Sequence, residues 1–126
     1  MSQCVILVGG KGSRLGDITK DCPKPMIEVN ERPFLMYLID MVQRFGFEEI
    51  LLLASHANNI IIEYFKNFES KNCKIKIIIE EIPLGTGGAI INAYEHLEDT
   101  FYCINGDSII EGNWISLNPI LKDQYK

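Results

Sequence analysis

A run of small and basic residues, Gly9-Gly10-Lys11-Gly12-Ser13-Arg14, follows the apolar segment Cys4-Val5-Ile6-Leu7-Val8 without a break. Glycines let a backbone approach a ligand closely and reach positive φ. Successive N–H groups in such a loop can cradle an anion. The chemistry this suggests is phosphate binding. The loop is not a Walker A sequence, because no G-x-x-x-x-G-K-S/T is present. It is not the dinucleotide fingerprint either, because Leu15 stands where the third glycine belongs. Further on, Lys24 lies between Pro23 and Pro25, whose rings restrict the backbone and so help to aim it. Two more segments have residue types suited to a ligand site: Glu80-Glu81 followed by Pro83-Leu84-Gly85-Thr86-Gly87-Gly88, and Asn105-Gly106-Asp107.

These segments need a scaffold, and the apolar pattern describes one. Cys4 to Val8 is continuous and rich in β-branched residues, as buried parallel strands are. Met26 to Val29 reads as a short strand. Ile50 to Ala54, Ile75 to Ile79 and Phe101 to Ile104 read as three more strands. Between them, Leu35, Leu38, Ile39, Val42 and Phe45 recur at helical spacing and stop at Gly46. Ile61, Tyr64, Phe65 and Phe68 form a second helical stripe, expected to face the core. Thr86 is placed to cap a third helix carrying Ile90, Ala93 and Leu97. Trp114 and Leu117 are candidate packing residues in the tail. Strands alternating with helices predict an α/β domain with a mainly parallel sheet. Ligands of such sheets bind at the carboxyl ends of the strands. Each of the three polar segments stands at such an end, and that coincidence is the main argument for a site.

Composition narrows the partners. The chain has 126 residues, the length of an ordinary single domain, and is 47% hydrophobic. It carries 12 Lys and Arg against 17 Asp and Glu, with no basic run, which disfavours nucleic acid and anionic membranes. No segment approaches the ~20 apolar residues of a membrane span. A soluble cytoplasmic protein is expected. Cys4, Cys22, Cys73 and Cys103 form no C-x-x-C pair, and buried free thiols fit better than disulfides. His56 and His96 lack metal-ligand spacing.

Taken together, Leu7-Val8-Gly9-Gly10-Lys11-Gly12-Ser13-Arg14-Leu15 and Pro23-Lys24-Pro25-Met26 resemble the signature of the sugar-phosphate nucleotidylyltransferases. Pro83 to Ala89 resembles that family's nucleotide-contacting loop, and Asn105-Gly106-Asp107 its metal-binding strand end. Within the family, the wording is most similar to bacterial guanylyltransferases for manno-heptose 1-phosphate or mannose 1-phosphate. The resemblance implies a Rossmann-like three-layer sandwich of the nucleotide-diphospho-sugar transferase type. It implies transfer of a nucleoside monophosphate to a sugar 1-phosphate, with release of pyrophosphate. By the same resemblance Val8, Gly9, Gly10, Gly12 and Ser13 would hold the nucleotide, together with Pro83, Gly85, Thr86 and Gly87. Arg14 would neutralise the leaving pyrophosphate, Lys24 would stand near the α-phosphate, and Asp107 would bind Mg²⁺. Glu80 falls where the family reads the base. Guanine offers adjacent N1–H and N2–H donors that one carboxylate can accept together, whereas uracil and thymine suit an amide. Glu80 therefore favours GTP, with Glu81 as its competitor.

The resemblance covers residues 3 to about 112. Residues 1–126 are expected to form the nucleotide-binding part, without the half that in the family supplies most of the sugar pocket. Two other readings stay open: a fragment that holds nucleotide without turnover or with a partner chain, and a cytidylyl- or uridylyltransferase with another phosphate acceptor. The last strand is expected to leave an open sheet edge, a place for self-association.

Overall fold

The computed structural model describes residues 3–9, 22–55, 58–82, 84–113 and 116. Among them, four parallel strands form one sheet: β1 (Gln3–Leu7), β4 (Glu49–Ala54), β5 (Lys74–Ile79) and β6 (Tyr102–Asn105), in the order β5-β4-β1-β6. A two-stranded antiparallel hairpin joins β2 (Glu28–Val29) to β3 (Arg32–Pro33). The helices are α1 (Phe34–Arg44), α2 (Asn58–Phe65) and α3 (Gly85–Asn92). Trp114 and Leu117 lie outside the described residues.

The central strands β1 and β4 are apolar on both faces because both are covered. Side chains alternate along a strand. Cys4, Ile6, Val8, Ile50, Leu52 and Ala54 therefore pack with Leu35, Leu38, Ile39 and Val42 of α1 and Ile61 of α2. Val5, Leu51 and Leu53 face the other way, against Ala89 of α3 and Ala93 just beyond it. Three layers result, as the resemblance implied. The register sets Val5 beside Leu51 on one side and Cys103 on the other. β6 pairs on one side only among the described residues.

Local chemistry sets the element ends. The first N–H of α1, on Phe34, would have no helical partner, and it donates to the Ile27 carbonyl at 3.0 Å. The helix stops where Gly46 takes φ +87° and its N–H donates to Gln43 O at 2.9 Å. At the amino end of the sheet Gln3 is fully buried. Its Nε2 donates to Glu49 Oε1 at 2.7 Å and to His96 O at 2.8 Å, and its Oε1 accepts from Glu98 N at 2.9 Å. That one amide ties the start of β1 to the start of β4 and to the segment leaving α3.

Five expectations need correction. Thr86 caps nothing: Gly85, at φ +75°, turns the chain into α3 one residue earlier, so Thr86 already lies in the first turn. α3 ends at Asn92, and a 3₁₀ turn at Tyr94–His96 carries the chain on. Glycines at 85, 87 and 88 and the β-branched Ile90 and Ile91 make a weak helix. The strand expected over Met26 to Val29 holds only for its last two residues. Lys24–Met26 is a 3₁₀ turn, and β2 pairs with β3 across Asn30 and Glu31, at φ 53° and 64°. Tyr64 is exposed, edge-on to Phe65 at 5.2 Å, while Phe65 and Phe68 pack against the core. The four cysteines are free, but only Cys4 and Cys73 are buried; Cys22 is half-buried, and Cys103 is exposed on the edge strand. Burial, reinforced by Cys103 and Cys73, pushes the Cys4 thiol up to about 12.

Candidate active site

The carboxyl ends of the four strands form a row. Crossing the sheet from β5, it runs Glu80, Ser55, Val8 and Gly9, then Gly106 and Asp107. Hydrogen bonds extend the ladder past the strands and hold the row in line. Glu80 N donates to Ala54 O at 2.9 Å, Val8 N to Leu53 O at 2.9 Å, and Gly106 N to Leu7 O at 2.8 Å.

At one end, Glu80 is 8% exposed. Its Oε2 is buried and, among the described residues, accepts no hydrogen bond. A buried carboxylate oxygen without a donor is costly, and native structures seldom keep one without a use. Glu81, its competitor in sequence, is exposed. The start of α3 follows. A Cβ placed on Gly85 or Gly87 would meet no atom within 4 Å; Gly85 is required by its positive φ, but nothing in the packing requires Gly87. Thr86 is exposed beside them.

At the other end, Lys24 and Asp107 come together across 83 positions of sequence. Lys24 Nζ donates to Asp107 Oδ2 at 3.2 Å. Pro23 and Pro25 are buried and anchor the turn that carries the lysine. Met26 N closes that turn on Pro23 O at 2.9 Å. Burial pushes the Asp107 carboxyl up, but hydrogen bonds from Lys24 and Ser108 and the charge of Lys24 outweigh it, leaving the group below its usual value. It is therefore ionised at neutral pH. Among the described residues no three His, Cys, Asp or Glu side chains are grouped to hold a metal ion.

Gly106 is a hinge of close contact. A Cβ there would lie 2.7 Å from Leu7 O, 2.8 Å from Val8 Cγ1 and 3.2 Å from Pro25 Cγ. Gly106→Ala is therefore expected to push β6 off β1, costing about 1–3 kcal/mol as overpacking usually does. Thermal denaturation of the variant reads this directly; an unchanged melting temperature would refute it.

Gly10, Gly12, Ser13, Arg14 and Pro83 lie outside the described residues. Sequence reasoning missed Ser55, whose only signal was its place directly after the apolar run of β4.

The family model described as Nucleotidyl transferase matches residues 3–124. The chain belongs to the nucleotidyl transferase family. It is 42% identical over 109 residues to the D-glycero-alpha-D-manno-heptose 1-phosphate guanylyltransferase of Campylobacter jejuni, covering 86% of this chain and 49% of that protein. It is 41% identical over 107 residues to the bifunctional protein GlmU of Methanococcus maripaludis, covering 85% of this chain and 25% of that one. Among nucleotidyl transferase structures, that of HddC from Yersinia pseudotuberculosis complexed with GMP-PN superposes with a TM-score of 0.83 at 36% identity. It covers all of this chain, which corresponds to 55% of HddC. The chain thus spans about half the length of the heptose guanylyltransferase it matches. Among the described residues no helix is long and apolar enough to cross a membrane.

Proposed function

We propose that the row of strand ends binds GTP and supports guanylyl transfer to a sugar 1-phosphate of manno configuration, with release of pyrophosphate. The observation that carries this reading is the buried Oε2 of Glu80, which has no hydrogen-bond partner among the described residues. Guanine presents two adjacent N–H donors, so one carboxylate can accept both, and the orphaned oxygen then gains the donor it lacks. Among the described residues nothing lies within 4 Å of a Cβ placed on Gly85 or Gly87, which suits a backbone that a ligand approaches. Three inter-strand gaps separate β5 from β6, roughly 14 Å at the usual spacing. A triphosphate laid along the row places its base at Glu80 and its phosphates at Lys24 and Asp107.

The acceptor phosphate oxygen attacks the α-phosphorus in line, and pyrophosphate leaves. No protein nucleophile takes part, so positioning and charge neutralisation carry the catalysis. Lys24, aimed by its flanking prolines, turns from Asp107 toward the α-phosphate and stabilises the charge that builds there. Gly9 and its neighbours supply backbone contacts, and Arg14 the cation for the leaving pyrophosphate. A lone ionised carboxylate fits Mg²⁺, which commonly takes one or two carboxylates together with substrate phosphates. Asp107 is the residue that would hold it, and the bound ion would neutralise phosphate charge.

Titration calorimetry with GTP, CTP, UTP and dTTP, each with Mg²⁺, tests the reading. Selective GTP binding is expected. Preference for CTP or UTP would replace the guanine assignment with a pyrimidine one. Binding to none would overturn the nucleotide site.

A further inference from the structure

Ser55 follows β4 directly and lies against Gly9, where the chain leaves β1. Its hydroxyl donates to the Gly9 carbonyl at 2.9 Å, joining residues 46 positions apart. The contact is tight as well as polar. A Cβ on Gly9 would lie 2.6 Å from Ser55 Oγ and 3.1 Å from Ser55 N, but 3.4 Å from Ser55 Cβ. Gly9 is not among the residues with positive φ. A glycine is needed there because the end of β4 comes so close, not because the backbone is twisted.

We propose that Ser55 is a positioning residue for nucleotide binding, holding the first peptide of the glycine loop in the orientation the ligand requires. A trans peptide is planar, so fixing its carbonyl also fixes the opposing N–H of the same unit. With its carbonyl already bonded to Ser55, the peptide is prevented from turning that oxygen toward incoming phosphates, which it would repel. Ser55 also occupies the place in the row between Glu80 and Gly9. It lies beneath the span a nucleotide would cross. This role rests on the nucleotide reading above and adds a residue to it.

The test is GTP·Mg²⁺ affinity of the whole chain, measured beside the melting temperature, for the unaltered protein, Ser55→Ala and Ser55→Thr. Ser55→Ala is expected to weaken binding roughly five- to tenfold, the usual worth of one hydrogen bond, with the chain still folded and its melting temperature lowered only slightly. Ser55→Thr, which keeps the hydroxyl, is expected to restore most of the affinity. Gly9→Ala provides a second arm. It is expected to weaken binding in the unaltered background and to do so less in Ser55→Ala, where the nearest clashing atom is gone. If the unaltered chain binds GTP and Ser55→Ala binds it equally well, the positioning role is overturned and the nucleotide site stands. A Ser55→Ala variant that binds weakly only because it melts lower, without rescue by threonine, also overturns it. If the unaltered chain binds no triphosphate, both readings fall.

Discussion

Glu80→Gln is expected to transfer the base preference of this chain from guanine to uracil or thymine. The substitution keeps the shape of the side chain and replaces a double acceptor by one acceptor and one donor. Guanine then faces an N–H where it needs an acceptor, while the uracil edge, a donor beside an acceptor, is matched. Hydrogen bonds to a charged group contribute about 1.5–3 kcal/mol. GTP affinity should therefore fall roughly ten- to hundredfold, and UTP affinity should rise. Calorimetric titration of both triphosphates against the variant measures the exchange. Undiminished GTP binding would show that Glu80 does not touch the base. The burial of the site makes the test sharp. Glu80 Oε2 has no donor among the described residues, so little within the protein competes for the change. Glu81→Gln, at an exposed neighbour, provides the control and should leave the preference alone.

Lys24→Ala is expected to have the largest effect on turnover. A preorganised cation aimed at developing charge is commonly worth a hundred- to thousandfold in rate. Lys24 is held by a closed turn between two buried prolines, which is the preorganisation that the estimate assumes. Its action falls mainly on the transition state, so GTP affinity should change by only a few fold while pyrophosphate release nearly stops. The assay is pyrophosphate release from GTP with a manno-configured sugar 1-phosphate, run beside calorimetric binding. Equal losses in binding and rate would move Lys24 from catalysis to simple nucleotide holding. Lys24→Arg is not a conservative control, because a planar fork replaces a point charge at the end of a longer side chain. Removing Lys24 also strips Asp107 of its 3.2 Å partner, so the variant is expected to respond differently to Mg²⁺ concentration.

Much of this architecture was legible because burial writes a period into the chain. The strands β1 and β4 are covered on both faces, and each appears as an apolar run, while β5 is only half-buried and its run is interrupted by Lys76. The α1 stripe was equally plain, since Leu35, Leu38, Ile39 and Val42 are all fully buried on one side. Features set by local backbone geometry were harder. The β2–β3 hairpin turns on Asn30 and Glu31, and a glutamate at positive φ lacks the Asn-Gly wording that marks such a turn. Gly85 opened α3 where a threonine cap had been expected, because a glycine can solve the same problem with its backbone. In the site, residue types and strand ends were readable, but contacts across the sequence were not. No spacing rule links Lys24 to Asp107 or Ser55 to Gly9; the parallel register of β1 and β4 brings Ser55 to Gly9, and the turn at Lys24–Met26 brings Lys24 to Asp107.

Gln3 has a consequence for how such a domain can diversify. Its amide satisfies three partners at the amino end of β1, while Gly9 lies just past the carboxyl end of the same strand. The two ends of the strand answer to separate demands. The amino end is a clamp whose loss would leave several buried polar groups unmatched, so its vocabulary is narrow. At the carboxyl ends Gly9 and Gly106 are closely held by Ser55 and by Leu7 and Val8, but Gly87, where a Cβ would meet nothing within 4 Å, and Glu80, whose Oε2 has no donor among the described residues, are positions the surrounding packing does not dictate. A lineage built on this plan can exchange one base or one acceptor for another by altering the row of strand ends, while the opposite rim keeps every descendant foldable.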